Sequence, residues 1–108
     1  MNLLEETTKK LEENGHSLSD IVWVGCPDFK MNLEQFFILA NKAYDNGYGG
    51  EETATDLLVV GEDWWLERHE YDGAEWWEYK KIPTEPDTIE LTESLFTGWM
   101  GLRKAGDH

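Results

Sequence analysis

The residues best able to do chemistry are concentrated in the stretch 62–79, EDWWLERHEYDGAEWWEY. It holds seven carboxylates, one arginine and one histidine, together with two Trp-Trp pairs. His69 could work as a general base, because imidazole titrates near neutral pH. The alternative is a surface histidine that pairs with Glu75. General acid/base chemistry also needs a carboxyl group with a raised pKa in a dry cleft, and nothing marks one. We therefore favour a non-enzymatic binding role.

Other reactive residues give no pattern of a metal or cofactor site. The three histidines are far apart in the sequence, and no second cysteine accompanies Cys26. Neither a zinc-ligand spacing nor an internal disulfide follows from this set. The glycines near residue 49 are not followed by the Lys and Ser/Thr of a phosphate-binding loop. We predict no catalytic residues, no metal and no cofactor.

The same stretch is predicted to form a β-hairpin with one wet face. Asp-Gly at 72–73 between β-prone segments is a strong hairpin signal. Successive side chains of a strand point to opposite faces, so one indole of each Trp-Trp pair should enter the core and the other should face water. The result would be an acidic surface carrying aromatic rings. The predicted partner-binding residues are Trp65, Glu67, His69, Glu70, Asp72, Glu75, Trp76 and Glu78.

The register of the hairpin can be argued from charge. A two-residue turn would set Glu70 opposite Glu75 and Glu67 opposite Glu78, and like charges across a ladder cost up to about 1 kcal/mol. A three-residue loop with a bulge at Gly73 would instead set His69 opposite Glu75. We predict the three-residue loop.

Net charge limits the choice of partner. The chain has 23 acidic and nine basic residues and a net charge of −14. Direct binding to nucleic acid or to an anionic membrane is therefore disfavoured, and a basic protein surface is the natural partner. The alternative is that acidity serves solubility alone. The acidic N-terminus, the lone cysteine and the lack of a long apolar run predict a cytoplasmic protein.

Hydrophobic periodicity predicts an α+β fold with two helices on one face of a three- to four-stranded, mainly antiparallel sheet, in the order αβαβββ. Residues 1–83 should form the compact domain and 84–108 a C-terminal extension. A short edge strand could form at 88–91. The predicted elements are helices at 2–14 and 33–46, strands at 21–25, 56–60, 64–71 and 75–82, and a loop at 47–55.

A family resemblance accompanies these patterns. The segment 64–79, with a Leu-Leu-Glu-Glu-Thr opening at 3–7 and the run 44–49, resembles short acidic accessory proteins encoded by phages and prophages of Gram-positive bacteria. The similarity fades after Pro83. Small acidic proteins of that origin include anti-CRISPR and anti-restriction inhibitors, so the resemblance implies an accessory inhibitor. It assigns no residue a role.

Two functional hypotheses follow. In the first, the chain is a phage-type inhibitor that occupies a basic nucleic-acid-binding surface of a host defence protein, such as a CRISPR effector or another nuclease. Carboxylates would replace phosphates, and exposed indoles would supply apolar anchors. In the second, the chain is a structural or accessory protein whose Trp-rich sheet face is a homodimer interface.

Overall fold

A computed structural model describes residues 1–44 and 52–106. Helices α1 (Leu3–Glu13) and α2 (Leu33–Ala40) accompany five strands. The strands are β1 (Trp23–Gly25), β2 (Lys30–Met31), β3 (Leu58–Val60), β4 (Trp64–Tyr71) and β5 (Ala74–Lys81), in the spatial order β2-β1-β3-β4-β5. All neighbouring strands run antiparallel. The α+β class is confirmed, but the predicted strand count and the order αβαβββ are wrong.

The extra strand is β2, which pairs with β1 through a tight hairpin. The Cys26 N–H closes the turn between the two strands by donating to the Phe29 carbonyl at 2.9 Å. Gly25 is required there, because a Cβ atom would lie 2.3 Å from the Phe29 carbonyl oxygen. Two residues are too few for an alternating pattern, so no sequence signal marked this strand.

Helix α1 follows its predicted boundaries closely. The Asn2 side chain accepts a hydrogen bond from the Glu5 N–H at 3.1 Å and caps the first turn. Thr7 and Leu11 are completely buried, one turn apart on the face toward the sheet. Gly15, with φ +78°, follows the helix in the left-handed region that favours glycine.

Helix α2 is shorter than the predicted 33–46. Asn32 caps it, accepting hydrogen bonds from the Glu34 and Gln35 N–H groups. It ends at Ala40, and the chain then runs beside the N-terminus, where the Tyr44 N–H donates to the Met1 carbonyl at 2.7 Å. This pairing offers the backbone an alternative to further helical turns. Residues 45–46 of the predicted helix, and 47–51 of the predicted loop, lie outside the described residues.

The core lies between both helices and one face of the sheet. Val24, Val59 and Leu66 lie side by side across β1, β3 and β4, and all three are completely buried. Phe36 and Ala40 of α2 and Leu11 of α1 belong to the same buried cluster. The opposite sheet face is therefore the one without helices, and we call it the outer face.

The hairpin of β4 and β5 uses a two-residue turn, so the predicted three-residue loop is wrong. Tyr71 pairs with Ala74, and Glu70 pairs with Glu75. Asp72 and Gly73 have φ values of 52° and 85°, as a type I′ turn requires at both central positions. The like-charged partners that we had rejected, Glu67 with Glu78 included, do lie opposite each other.

Burial of apolar side chains explains this register. The two-residue turn sends Trp64, Leu66, Trp77 and Tyr79 to the helix side together. A shift by one residue would exchange the faces of β5 and turn Trp76, Glu78 and Lys80 inward in place of Glu75, Trp77 and Tyr79, so one large aromatic side chain would leave the helix side and a second charged side chain would enter it. Burying one large apolar side chain contributes about 1.5–3 kcal/mol, whereas a like-charge pair costs up to about 1 kcal/mol. Packing therefore outweighs cross-strand repulsion.

Residues 82–106 follow the sheet without an α-helix or a strand, so the predicted strand at 88–91 does not form. The only regular element described there is a short 3₁₀ turn, Gly98–Met100. Most side chains of this segment are exposed. The Cα radius of gyration is 18.4 Å, compared with about 13 Å for a compact chain of this length. The segment therefore lies largely apart from the core.

Candidate functional site

The outer face of the hairpin carries five of the eight predicted site residues. Alternation along β4 and β5 places Trp65, Glu67, His69, Trp76 and Glu78 on this face. All five side chains are partly exposed. Their neighbours in the Trp-Trp pairs, Trp64 and Trp77, are 3% and 2% exposed on the helix side. The prediction that each pair divides between core and solvent is confirmed.

Two indole–carboxylate pairs form the centre of the outer face. The Trp65 indole N–H donates to Glu67 Oε1 at 2.7 Å, and the Trp76 indole N–H donates to Glu78 Oε1 at 3.0 Å. Each pair joins residues two positions apart, which is the spacing of neighbours on one face of a strand. Glu67 and Glu78 are also direct cross-strand partners. The two carboxylates are thus held side by side, each tied to an indole.

These hydrogen bonds keep both carboxylates ionised. The hydrogen bond from Trp65, followed by that from His69, lowers the pKa of Glu67 below its ordinary value of 4.5. The hydrogen bond from Trp76 lowers the pKa of Glu78 in the same way. Indole donates without carrying a charge, so these bonds hold the carboxylates without neutralising them. The site presents two fixed negative charges beside two aromatic rings.

The side chain of His69 contacts Glu67 of this pair and does not contact Glu75. Its Nε2 lies 2.7 Å from Glu67 Oε2. The expected pairing of His69 with Glu75 does not form, because the two side chains lie on opposite faces of the hairpin. Lys80 also reaches the outer face, opposite Trp65, and lowers the pKa values of both glutamates through its charge.

Two predicted site residues lie at the tip of the hairpin. Glu70 and Asp72 are exposed there, on either side of Tyr71, which is 77% exposed. Asp72 lies in the turn, and Glu70 is the exposed end of the helix-facing row, opposite Glu75. Together with Glu67 and Glu78 they make four carboxylates within one half of the hairpin.

Glu75 differs from the other predicted site residues. It is only 3% exposed and accepts a hydrogen bond from Arg68 at 2.7 Å on the helix side. The backbone N–H groups of Glu52 and Thr53 also donate to it, at 2.8 and 3.1 Å. The expectation that Glu75 belongs to the exposed acidic surface is therefore wrong: the same alternation that exposes Glu78 turns Glu75 inward.

The inward cluster also contains three residues that the sequence did not mark for a site. Arg68 lies 3.4 Å from Glu6 of α1 and donates to the Tyr44 hydroxyl at 3.2 Å. Its guanidinium carbon lies 4.7 Å from the centre of a Trp77 ring. Tyr44 in turn donates to Glu6. One feature of the sequence indicates the cluster: Arg68 is the single base among the seven acids of 62–79, and alternation along β4 turns its side chain toward the helices.

The pKa values of the cluster agree with a fixed ion pair. Burial acts to raise the pKa of Glu75, but hydrogen bonds from Thr53, from the Glu52 N–H and from Arg68 outweigh it, and the pKa lies below 4.5. Burial, followed by the hydrogen bond to Glu6, raises the pKa of Tyr44 to about 12. The charged groups of this cluster pair with one another inside the fold, so Glu75 is not available to a partner.

The space next to His69 is too small for a substrate. The cavity next to His69, lined by Thr53, Thr55, Arg68, Glu70 and Glu75, has a volume of about 40 Å³. Small-molecule sites usually measure about 300–1,000 Å³. Within residues 1–44 and 52–106, no group of three His, Cys, Asp or Glu side chains could hold a metal ion. In the same part of the chain, no helix is long and apolar enough to cross a membrane.

Comparisons with protein-family models, with curated proteins and with solved structures find no match for this chain.

Proposed function

We propose that this protein is a non-enzymatic binding protein whose outer hairpin face docks on a basic protein surface. One observation carries the proposal: Glu67 and Glu78 lie side by side, ionised, each held by the indole of a partly exposed tryptophan. Because the side chains of Glu67 and Glu78 are already fixed, they lose little conformational entropy when a partner binds. An arginine or lysine side chain of the partner is the group that fits it.

The indoles define the second part of the contact. Trp65 and Trp76 present ring surface next to the two carboxylates, and an indole face attracts a cation within about 6 Å. Tryptophan and arginine are the residues that most often dominate binding energy at interfaces. An arginine between these rings would gain both a carboxylate partner and a cation–π contact.

We further propose that the partner surface is one that ordinarily holds nucleic acid, as in a CRISPR effector or another nuclease. Such surfaces are lined with arginine and lysine that contact phosphates. The net charge of −14, and the exposed carboxylates of Glu70 and Asp72 at the tip of the same hairpin, support this choice of partner. The phage-type resemblance of segment 64–79 agrees with an inhibitor of host defence.

The test uses a guide-free CRISPR effector nuclease and measures binding by the full chain as the salt concentration is raised. The variant Glu67→Gln/Glu78→Gln keeps the acceptors for both indoles and removes two charges. The matched control is Glu12→Gln/Glu13→Gln, which removes two exposed charges from α1. Affinity should fall with salt, because exposed charges are screened within about 8 Å at physiological ionic strength.

We expect the hairpin variant to bind about tenfold or more weakly than the wild type, and the α1 variant to bind almost normally, since one interfacial charge pair is commonly worth 1.4 kcal/mol or more. Equal losses in the two variants would show that only total charge matters. Binding that is insensitive to both salt and the hairpin variant would exclude this face as the contact.

A further inference from the structure

The C-terminal segment exposes apolar side chains that a folded protein normally covers. Phe96 and Trp99 are each 95% exposed, and neighbouring aliphatic side chains are open as well. A backbone hydrogen bond from the Ala105 N–H to the Leu91 carbonyl, at 2.5 Å, closes the loop that carries them. Large exposed apolar patches commonly mark sites of protein association. We call residues 94–104 the tail segment.

Charge is distributed unevenly around the tail segment. Residues 85–93 carry four acids, residues 94–102 carry no charged side chain, and Arg103 and Lys104 follow. The tail segment is therefore apolar and cationic, within a chain whose net charge is −14. A surface that is both aromatic and anionic is its natural complement.

The outer sheet face has that complementary character. Trp23 and Val60 lie beside Trp65 across three strands, and all three are partly exposed. Glu67 and Glu78 lie in the adjoining row. Both helices pack on the other side of the sheet, so this face is left to solvent. The chain thus carries an apolar, cationic segment and an uncovered aromatic, anionic face.

We infer that two copies of this protein form a symmetric dimer in which the tail segment of each copy covers the outer sheet face of the other. Phe96 and Trp99 would pack against the rings of Trp65 and Trp76. Arg103 and Lys104 would meet the carboxylates of Glu67 and Glu78. Residues 82–93 connect the tail segment to β5 and span up to roughly 40 Å when extended, which is enough to reach a second copy.

The area available is adequate for a stable dimer. An aromatic side chain buries about 150–250 Å². Two such residues in each of two tail segments contribute about 600–1,000 Å², and the rings that they cover contribute a comparable area, which reaches the usual interface size of about 1,200–2,000 Å². The dimer uses the face of the proposed function but needs no foreign partner.

The experiment is sedimentation of the full chain over a wide concentration series, with two complementary variants. The tail variant Phe96→Ser/Trp99→Ser removes the proposed anchors from an exposed segment. The face variant Trp65→Thr/Trp76→Thr places β-compatible residues on the outer face. The control Phe29→Ser/Ile38→Ser removes exposed apolar side chains outside both surfaces. Circular dichroism confirms that each variant is folded.

We expect the wild type and the control to dimerise, and each double variant to weaken dimerisation by about a hundredfold, since both anchors are lost at two equivalent contacts. A mixture of the tail variant with the face variant should associate more strongly than either alone, because one tail–face contact of the heterodimer is intact.

Three results would overturn the inference: a wild type that is monomeric at every concentration, a dimer that survives the tail variant, or a mixture that associates no better than its components. A dimer would compete with a basic foreign partner for the outer face and a monomer would leave that face open, so none of these three results excludes the proposed function.

Discussion

The two faces of one hairpin use the same kinds of residue in opposite ways. On the inner face, Glu75 is paired with Arg68 and buried next to Trp77. On the outer face, Glu67 and Glu78 accept hydrogen bonds from neutral indoles and stay partly exposed. The inner carboxylates, Glu75 and Glu6, pack around the buried guanidinium of Arg68, whereas the outer carboxylates are held by neutral indoles and stay partly exposed, with His69 and Lys80 beside them. Exposure of the charged groups, and not their presence, distinguishes the two faces.

The largest expected effect lies on the inner face. Arg68→Ala would leave Glu75 buried without its cation, and removing one partner of a buried ion pair costs about 3–5 kcal/mol. Urea unfolding followed by circular dichroism measures this loss. Lys80→Ala removes the base on the outer face of the same hairpin and should change stability by about 0.5 kcal/mol or less. Similar losses in the two variants would mean that the faces do not differ in the way described.

A loss of stability of intermediate size is expected when the side chain that accepts a hydrogen bond from an indole is removed on the inner face. Thr7→Val removes the hydroxyl that accepts the Trp77 N–H at 2.9 Å, in a fully buried position. A buried donor left without a partner costs about 1–3 kcal/mol. Glu78→Ala removes the acceptor of the Trp76 N–H, but water can replace it there.

Unfolding free energies of Thr7→Val and Glu78→Ala test this difference between the faces. Glu78→Ala should cost about 0.5 kcal/mol or less, as is usual for surface substitutions. The comparison would fail if Glu78→Ala proved the more destabilising of the two.

The sequence predicted much of what local periodicity controls. The alternation in the Trp-Trp pairs, the extent of α1 and the turn at Asp72-Gly73 all depend on neighbours within a few residues. The hairpin register does not depend on near neighbours alone, because it is decided by which side chains the helices cover. Weighing only the cross-strand charges gave the wrong register, since the loss of Tyr79 from the helix side, with Glu78 and Lys80 turned inward, was left out of the comparison.

The candidate site shows the same division between local and distant causes. The positions of Trp65, Glu67, Trp76 and Glu78 follow from strand alternation alone. The inner cluster depends on distant contacts, since Arg68, the partner of Glu75, also contacts Glu6 and Tyr44, which lie 62 and 24 residues from it. Contacts across such separations leave no periodic signal in a single sequence. The early end of α2, which brings Tyr44 to this cluster, was missed for the same reason.

The smallest expected effect concerns Tyr44, at the margin of the inner cluster. Its pKa of about 12 means that the neutral phenol is favoured in the folded state. The stability that this provides is complete below the ordinary pKa of 10.0 and is lost as pH rises from there toward about 12. At neutral pH, Tyr44→Phe should cost about 0.5–1.5 kcal/mol, the net value of a hydrogen bond. The tyrosinate absorbance of the wild type minus that of Tyr44→Phe isolates this one phenol. A midpoint near 12 would tie Tyr44 to Glu6 within the inner cluster, whereas a midpoint near 10 would place it with the solvent-exposed groups and reduce the cluster to Arg68 and its two carboxylates.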